Sequence, residues 1–255
     1  MKKRYITFIL IFCLAIIGTY LFTQRQNLSN PIFFMQYENY IAASQEENLE
    51  LALSFWGDKD EVNKAIEAIG VSFDDKTIEI TKFEINTGDQ IEKLYSGALY
   101  IICSFLEDGV RECSTISLTY PDNTTKNFPI GQWIFDVDKS PCADVPIDVW
   151  SSPVASTDRN CFSYSYLLEQ DSLEIESIQY GKDLYHYIPK DEKCCEINGT
   201  LTLPGEAPVK YIRPKLHITY AGTHLVTYGM GCYCGAFNVT LDEIMLSQQI
   251  AMNKK

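Results

Sequence analysis

From Lys76 onward, apolar and polar residues alternate with a period of two, in the runs TIEITKFEI, ALYIICSF, STISLTY, GQWIFDV, CFSYSYLL, LEIESIQY, GTLTL, KLHITY and FNVTL. Successive side chains of a strand point to opposite faces, so this alternation marks half-buried β-strands. Turn chemistry separates the runs at Pro121-Asp122-Asn123, Gln170-Asp171, Pro204-Gly205 and Ala221-Gly222. Many short strands without helical patterns between them predict a β-sandwich or barrel rather than a parallel α/β sheet.

Helical spacing is confined to two places. Asp58 and Glu61 have the spacing of a capping box, Val62, Ile66 and Ile69 fall on one helical face, and Gly70 can end the turn. This predicts a short amphipathic helix packed against a sheet. Thr240 with Glu243 three residues later predicts a second helix that ends the chain. The stretch EENLELALSFW, with Leu49, Leu51, Leu53 and Phe55 alternating, suits a strand, although its composition also suits a helix.

The first thirty residues follow neither pattern. An uncharged, Ile-, Leu- and Phe-rich run covers residues 5 to 23, preceded by Lys2, Lys3 and Arg4 and followed by Arg25. As a helix it reaches about 28 Å, close to the roughly 30 Å of a bilayer's hydrocarbon. The excess of basic residues before it predicts a signal-anchor with its N-terminus in the cytoplasm and the rest of the chain outside. No small-residue cleavage pair follows the run, and Phe12 before Cys13 disfavours a lipid-attachment site.

A weak duplication divides the remainder. ISLTYPDNTTKNFPIGQWIFDV, from Ile116, aligns at an offset of 100 with LHITYAGTHLVTYGMGCYCGAFNV, from Leu216. Thr119-Tyr120 matches Thr219-Tyr220, Gly131 matches Gly231, and the CYC stretch stands where the first copy has Gln132-Trp133-Ile134. The pattern resembles the immunoglobulin-like modules of bacterial surface proteins. The expected order is a cytoplasmic tail (1–4), a transmembrane helix (5–23), a linker (24–43), a first β-rich domain (44–140), a second (141–245) and a C-terminal helix end (246–255). The fold class is therefore mainly β, with two tandem immunoglobulin-like sandwiches and short flanking helices.

Charge and cysteine usage fit an outside location. The chain carries −13 overall; removing Lys2, Lys3 and Arg4 leaves 18 basic against 34 acidic residues, or −16 outside. Such a surface repels phosphate backbones, which argues against nucleic-acid binding. Cys103, Cys113, Cys142, Cys161, Cys194, Cys195, Cys232 and Cys234 all follow the anchor, an even number in an oxidising compartment, so disulfides are expected. Reading Glu107-Asp108-Gly109 as a hairpin turn sets Leu106 opposite Val110 and Cys103 opposite Cys113. Cys142 and Cys161 flank a loop they can close. Cys232 and Cys234 on a strand share one face, and two disulfides from them to Cys194 and Cys195 are favoured over zinc, for which an adjacent pair is a poor half-site.

Catalytic signatures are missing from the sequence: no G-x-S-x-G, H-E-x-x-H, Walker or EF-hand pattern occurs, and no cofactor or metal is predicted. His186, His217 and His224 are scattered; His217 is expected to face solvent on a strand and His224 to lie in a turn. A Cys232–His224 nucleophile pair would require an unoxidised thiol. Asn27, Asn123, Asn198 and Asn238 lie in N-x-[ST] sequons, relevant only in a eukaryotic secretory pathway. The reading is a membrane-anchored, disulfide-stapled binding, adhesion or assembly module for a surface protein or polysaccharide. The alternative is an extracytoplasmic hydrolase of carbohydrate or cell wall that uses carboxylates.

Overall fold

The computed structural model describes residues 31–139, 147–148, 155–168, 172–189, 196–236 and 239–253. In chain order it contains β1 (Phe33–Phe34), β2 (Tyr37–Ser44), β3 (Leu49–Gly57), α1 (Lys59–Ile66), β4 (Gly70–Phe73), β5 (Ile78–Ile91), β6 (Leu94–Phe105), β7 (Gly109–Thr119) and β8 (Thr125–Asp138). Next come β9 (Ile147–Asp148), β10 (Ala155–Ser156), β11 (Cys161–Leu168), β12 (Leu173–Gly181), β13 (Leu184–Tyr187) and β14 (Glu196–Thr202). The chain then adds β15 (Lys210–Arg213), β16 (Lys215–Tyr220), β17 (Thr223–Tyr228), β18 (Cys232–Cys234) and α2 (Leu241–Asn253). A first sheet runs β1-β3-β6-β5, a second β10-β18-β15-β2-β8-β7-β4, a third β14-β11-β9 and a fourth β13-β12-β16-β17. The mainly-β, sandwich-forming reading is borne out.

The second sheet is a partition between two cores. On β2, Tyr37, Ile41 and Ala43 enter the first core, while the alternate residues Tyr40 and Ala42 enter the second. Likewise, Tyr211 and Tyr233 face the first core, and Ile212, Cys232 and Cys234 face the second. A strand buried on both faces loses the apolar–polar alternation that marks a surface strand, which is why YENYIAAS reads poorly as one. β2 pairs in parallel with β8 on one side and β15 on the other. In the first core Phe34 packs at a tilt against Phe55 (5.2 Å between centroids) and Phe105 against Phe135 (5.6 Å), and Phe73 meets Phe135 edge-on (5.8 Å). Each such pair adds about 0.5–1.5 kcal/mol beyond burial. The second core is built on Phe162, Tyr166, Ile178, Leu216 and Ile218.

Several sequence expectations change here. Residues 37–43, expected in a linker, form most of a central strand, and the shared second sheet joins the halves that the duplication would separate. Both stretches contain a hairpin, but the turns differ: Thr119 of β7 faces Thr125 of β8 across five residues, whereas Tyr220 of β16 faces Thr223 of β17 across two. The stretches then diverge: β8 stays in the second sheet through a register shift at Gly131, whereas the chain leaves the fourth sheet after Tyr228 and β18 joins the second. In FNVTL, Val239 and Thr240 lie outside any strand and Leu241 begins α2.

The turn at Glu107-Asp108-Gly109 is also reassigned. Gly109 has the expected positive φ, 106°, but β6 and β7 belong to different sheets. Val110 pairs with Asp136, and the Leu106 N–H donates to Thr77 O at 2.8 Å. The register that set Cys103 opposite Cys113 therefore does not exist. At α1 the capping box does not form; Glu61 turns instead to Lys64 at 2.6 Å, and Val62 and Ala65 are the buried residues. Ile66 and Ile69 remain exposed, because the side turned to the core carries Val62, Ala65 and Ala68 instead. At α2 the box forms as expected, with Thr240 N–H donating to Glu243 Oε2 at 2.8 Å and Glu243 N–H donating to Thr240 Oγ1 at 3.3 Å. The segment 5–23, expected to span a membrane, lies outside the described residues; among those described, no helix is long and apolar enough to cross a membrane.

Candidate functional site

The outer face of the first sheet carries the best candidate surface. Alternation along β3 and β6 sends Leu51, Leu53, Leu99 and Ile101 into the first core and leaves Glu50, Ala52, Tyr100 and Ile102 outside. Register aligns these into two rows across the sheet, Glu50–Ile102–Lys82 and Ala52–Tyr100–Glu84. A bulge between Ile80 and Lys82 keeps the β5 row in step, and the extra residue, Thr81, donates its hydroxyl to Ile102 O at 3.1 Å. Tyr100 is 49% exposed. Asn86 Nδ2 donates to Glu84 Oε1 at 3.0 Å, whereas Glu50 and Lys82 make no ion pair among the described residues. A concavity of about 340 Å³ lies over these rows, within the roughly 300–1,000 Å³ of small-ligand sites.

Tyr233, the middle residue of the CYC stretch, also lines this concavity. Its hydroxyl accepts the Ala52 N–H at 2.8 Å, and the Tyr37 hydroxyl accepts the Ser54 N–H at 2.9 Å. Two tyrosines thus satisfy the edge of β3 where no strand pairs with it, which blocks edge-to-edge association.

A second, larger cleft of about 640 Å³ is lined by Gln36, Glu38, Glu112, Gln132 and Glu206, with Leu246 and Ile250 of α2 on its rim. Here three carboxylates share one hollow. Glu112 is engaged by Lys182 at 2.9 Å, and Glu38 lies against the loop at Gly205 and Ala207.

Where the second sheet meets the fourth, carboxylates converge on a cation. Lys215 Nζ donates to Asp136 Oδ1 at 2.8 Å and to Asp138 at 2.9 Å. Asp136 Oδ2 also accepts from Tyr40 Oη at 2.7 Å and Gln179 Nε2 at 3.1 Å, and Tyr228 Oη donates to Asp138 at 3.0 Å. Burial first, then the neighbouring Asp136 charge, holds the Tyr40 phenol far above its usual range. Beside this network Arg213 forks onto both oxygens of Glu47 at 2.7 and 2.8 Å and lies over the Tyr228 ring. The carboxylates of this network meet on partners already in place, which makes it a joint between the two cores.

The sequence-predicted residues disperse around these features. Cys232 and Cys234 share one face as expected, buried, with sulfurs 3.9 Å apart. The Cys234 thiol donates to Cys232, which lowers the Cys232 pKa and raises that of Cys234. Their expected partners Cys194 and Cys195, and Cys142 opposite Cys161, lie outside the described residues. Cys103, Cys113, Cys161, Cys232 and Cys234 are free thiols in this structure, and burial pushes Cys103 up to about 12.

His217 is half-buried rather than solvent-facing, 3.2 Å from Gln179 Oε1. Burial and then Lys215 lower its pKa. His224 belongs to β17, with Nδ1 3.1 Å from Thr219 Oγ1. Its side chain is exposed while Cys232 is sealed in the second core, so the imagined nucleophile pair is not assembled. Of the sequons, Asn123 sits exposed in a turn with φ 62°, Asn198 is exposed on β14, and Asn238 and Asn27 lie outside the described residues. Among the described residues no group of three or more His, Cys, Asp or Glu side chains is placed to hold a metal. Tyr100, Glu50, Lys82 and Glu84 were not singled out in the sequence. The available signal was Tyr100 and Ile102, large side chains at the outward positions of ALYIICSF.

No family model and no curated protein matches the chain. Among solved structures, similarity is found to the Bacteroides ovatus mixed-linkage glucan utilization locus protein SGBP-B in complex with a mixed-linkage heptasaccharide (11% identity, 76% of this chain, 42% of that one, TM-score 0.23). Others are the endo-fucoidan hydrolase MfFcnA9 (10%, 80% and 34%, TM-score 0.24) and the titin Ig tandem A164-A165 (7%, 81% and 97%, TM-score 0.23). The chain thus spans less than half the length of the first two. At TM-scores this low neither fold nor function carries over from them.

Proposed function

We propose that this chain is a membrane-anchored, extracytoplasmic binding module that holds a polysaccharide across the outer face of its first sheet. The observation that carries the reading is the exposed Tyr100 ring, set in two register-aligned rows with Glu50, Lys82 and Glu84. An aromatic face offers a stacking surface to the apolar side of a sugar ring, and the flanking carboxylates and ammonium bond to its hydroxyls. The open form of the concavity suits an extended ligand. The −16 charge outside the anchor favours neutral or amine-bearing polymers over anionic ones.

Retention of the chain on immobilised polysaccharides of different charge, competed by their soluble fragments, tests the reading. Retention on none of them, with capture of a surface protein instead, would replace the polysaccharide by a protein partner. The expected pairing of Cys232 and Cys234 with Cys194 and Cys195 belongs to the same proposal and is read by non-reducing peptide mapping; four free thiols would remove it.

The three glutamates of the larger cleft favour a second reading, a carbohydrate hydrolase. Release of reducing ends from a retained polymer, abolished by Glu38→Gln or Glu206→Gln, would establish it.

A further inference from the structure

Lys215 differs in its surroundings from the other described lysines that pair with carboxylates. Lys64 and Lys126 on Glu61, and Lys182 on Glu112, have side chains more than half exposed, and the buried Lys210 donates to a carbonyl oxygen, that of Gly205. The Lys215 side chain is buried, and its Nζ lies 2.8 Å from Asp136 Oδ1 and 2.9 Å from Asp138. The Asp136 carboxyl carbon is one bond beyond the nearer contact. On its far side the other oxygen, Oδ2, accepts from Tyr40 Oη at 2.7 Å and from Gln179 Nε2 at 3.1 Å. Both donors belong to buried residues, and Gln179 is oriented in turn by His217, 3.2 Å from its Oε1.

Amide formation between two side chains needs a held nucleophile, an electrophilic carbon, a proton acceptor, and donors facing the oxygen on which charge develops. All four are assembled here. We infer that Lys215 and Asp136 condense into an intramolecular isopeptide bond, which joins β16 to β8 and so ties the fourth sheet covalently to the second. The Lys215 ammonium passes one proton to Asp138, and the freed nitrogen lone pair forms a bond to Asp136 Cγ. Negative charge gathers on Oδ2, where Tyr40 and Gln179 donate. Burial, followed by the Asp136 charge, holds the Tyr40 phenol far above its usual range, so it remains a donor. The Cγ–Oδ1 bond then breaks with its electron pair, and Oδ1 leaves as water with a second proton from Nζ and the one that Asp138 had taken. Ammonium and carboxylate have become amide and water, with no oxidant and no other reactant. Asp138, 35% exposed, connects the site to solvent. Two charges withdrawn from water carry a desolvation cost that their attraction only partly offsets, and a neutral amide carries no charge. Unlike a disulfide, this bond forms in any redox compartment.

The ion pair of the structure is the reactant, and its own contribution to stability is read in chains that have not closed. Proteolysis of the folded full chain after reduction, followed by mass spectrometry, tests the inference. Expected is a branched peptide in which Asp136 is linked to Lys215, lighter by one water than its two arms together. Asp138→Asn keeps the Lys215–Asp136 pair but removes the proton acceptor, and should give the two arms separately. Tyr40→Phe should slow closure about a hundredfold or more, as loss of one donor to the developing oxyanion. Circular dichroism establishes that each variant is folded. Separate arms from the folded wild-type chain, after prolonged incubation at neutral pH, would overturn the inference, as would a missing water that maps to any other residue. Closure at the wild-type rate in both variants would overturn the mechanism.

Discussion

Replacing Lys215 by Met removes the ammonium on which Asp136 and Asp138 converge while keeping most of the stem's volume. In the native joint the Lys215 and Asp136 side chains are only 7% and 11% exposed, with separations of 2.8 and 2.9 Å to the two carboxylates. Without the cation, the nearly buried Asp136 carboxylate is left beside Asp138, whose side chain is 35% exposed, and Tyr40 and Gln179 satisfy only part of Asp136. Breaking a buried pair by removing one partner costs about 3–5 kcal/mol. For a chain of this size each kcal/mol lowers Tm by about 2–4 °C, so a fall of roughly 6–20 °C is expected. Urea denaturation measures the free energy directly. Adding Asp136→Leu should recover part of the loss. A deficit below about 1 kcal/mol, the range of exposed pairs, would show that the joint is solvated and refute the reasoning.

Other expectations follow from single contacts. The lowered pKa of His217 means that its stabilising contribution is complete above the unfolded value near 6.5 and is lost as pH falls towards the folded one. His217→Gln should remove up to about 1.4 kcal/mol per pH unit of acid sensitivity in that window, seen in urea midpoints across pH. Gly131 has φ 91°, and an added Cβ would collide with the backbone O and N of Tyr37. Gly131→Ala should therefore cost at least about 2 kcal/mol, since backbone presses on backbone. Tyr233→Phe leaves the Ala52 N–H without its acceptor, an expected loss of about 1–3 kcal/mol by urea denaturation.

Alternation exposed most strands to a reader of the sequence because one face of each meets water. It failed where that condition fails. β2, buried by Tyr40 and Ala42 on one side and Ile41 and Ala43 on the other, carries no period to read. Turn chemistry located the reversal at Gly109 but not its outcome, since a positive φ turns the chain equally well into a hairpin or across to a facing sheet. The Asp136–Lys215 joint spans 79 residues of sequence, and nothing local to IFDVD or KLHITY announces the partner. The CYC stretch was legible as a shared sulfur face, yet the use of Tyr233 as an edge acceptor depends on β3, which is remote in sequence. At α2 the capping box was correctly placed, but which face the helix turns inward is decided by Met35 and Gln36.

The central claim is that the Tyr100 face binds polysaccharide, and a titration of the full chain with a fragment of whichever polymer retains it tests this most directly. Tyr100→Ala, an exposed position whose loss leaves the core intact, should weaken binding about tenfold or more, or roughly 1.4 kcal/mol, with an unchanged urea midpoint. Unaltered affinity in Tyr100→Ala, with binding abolished instead by Glu206→Gln in the larger cleft, would contradict it.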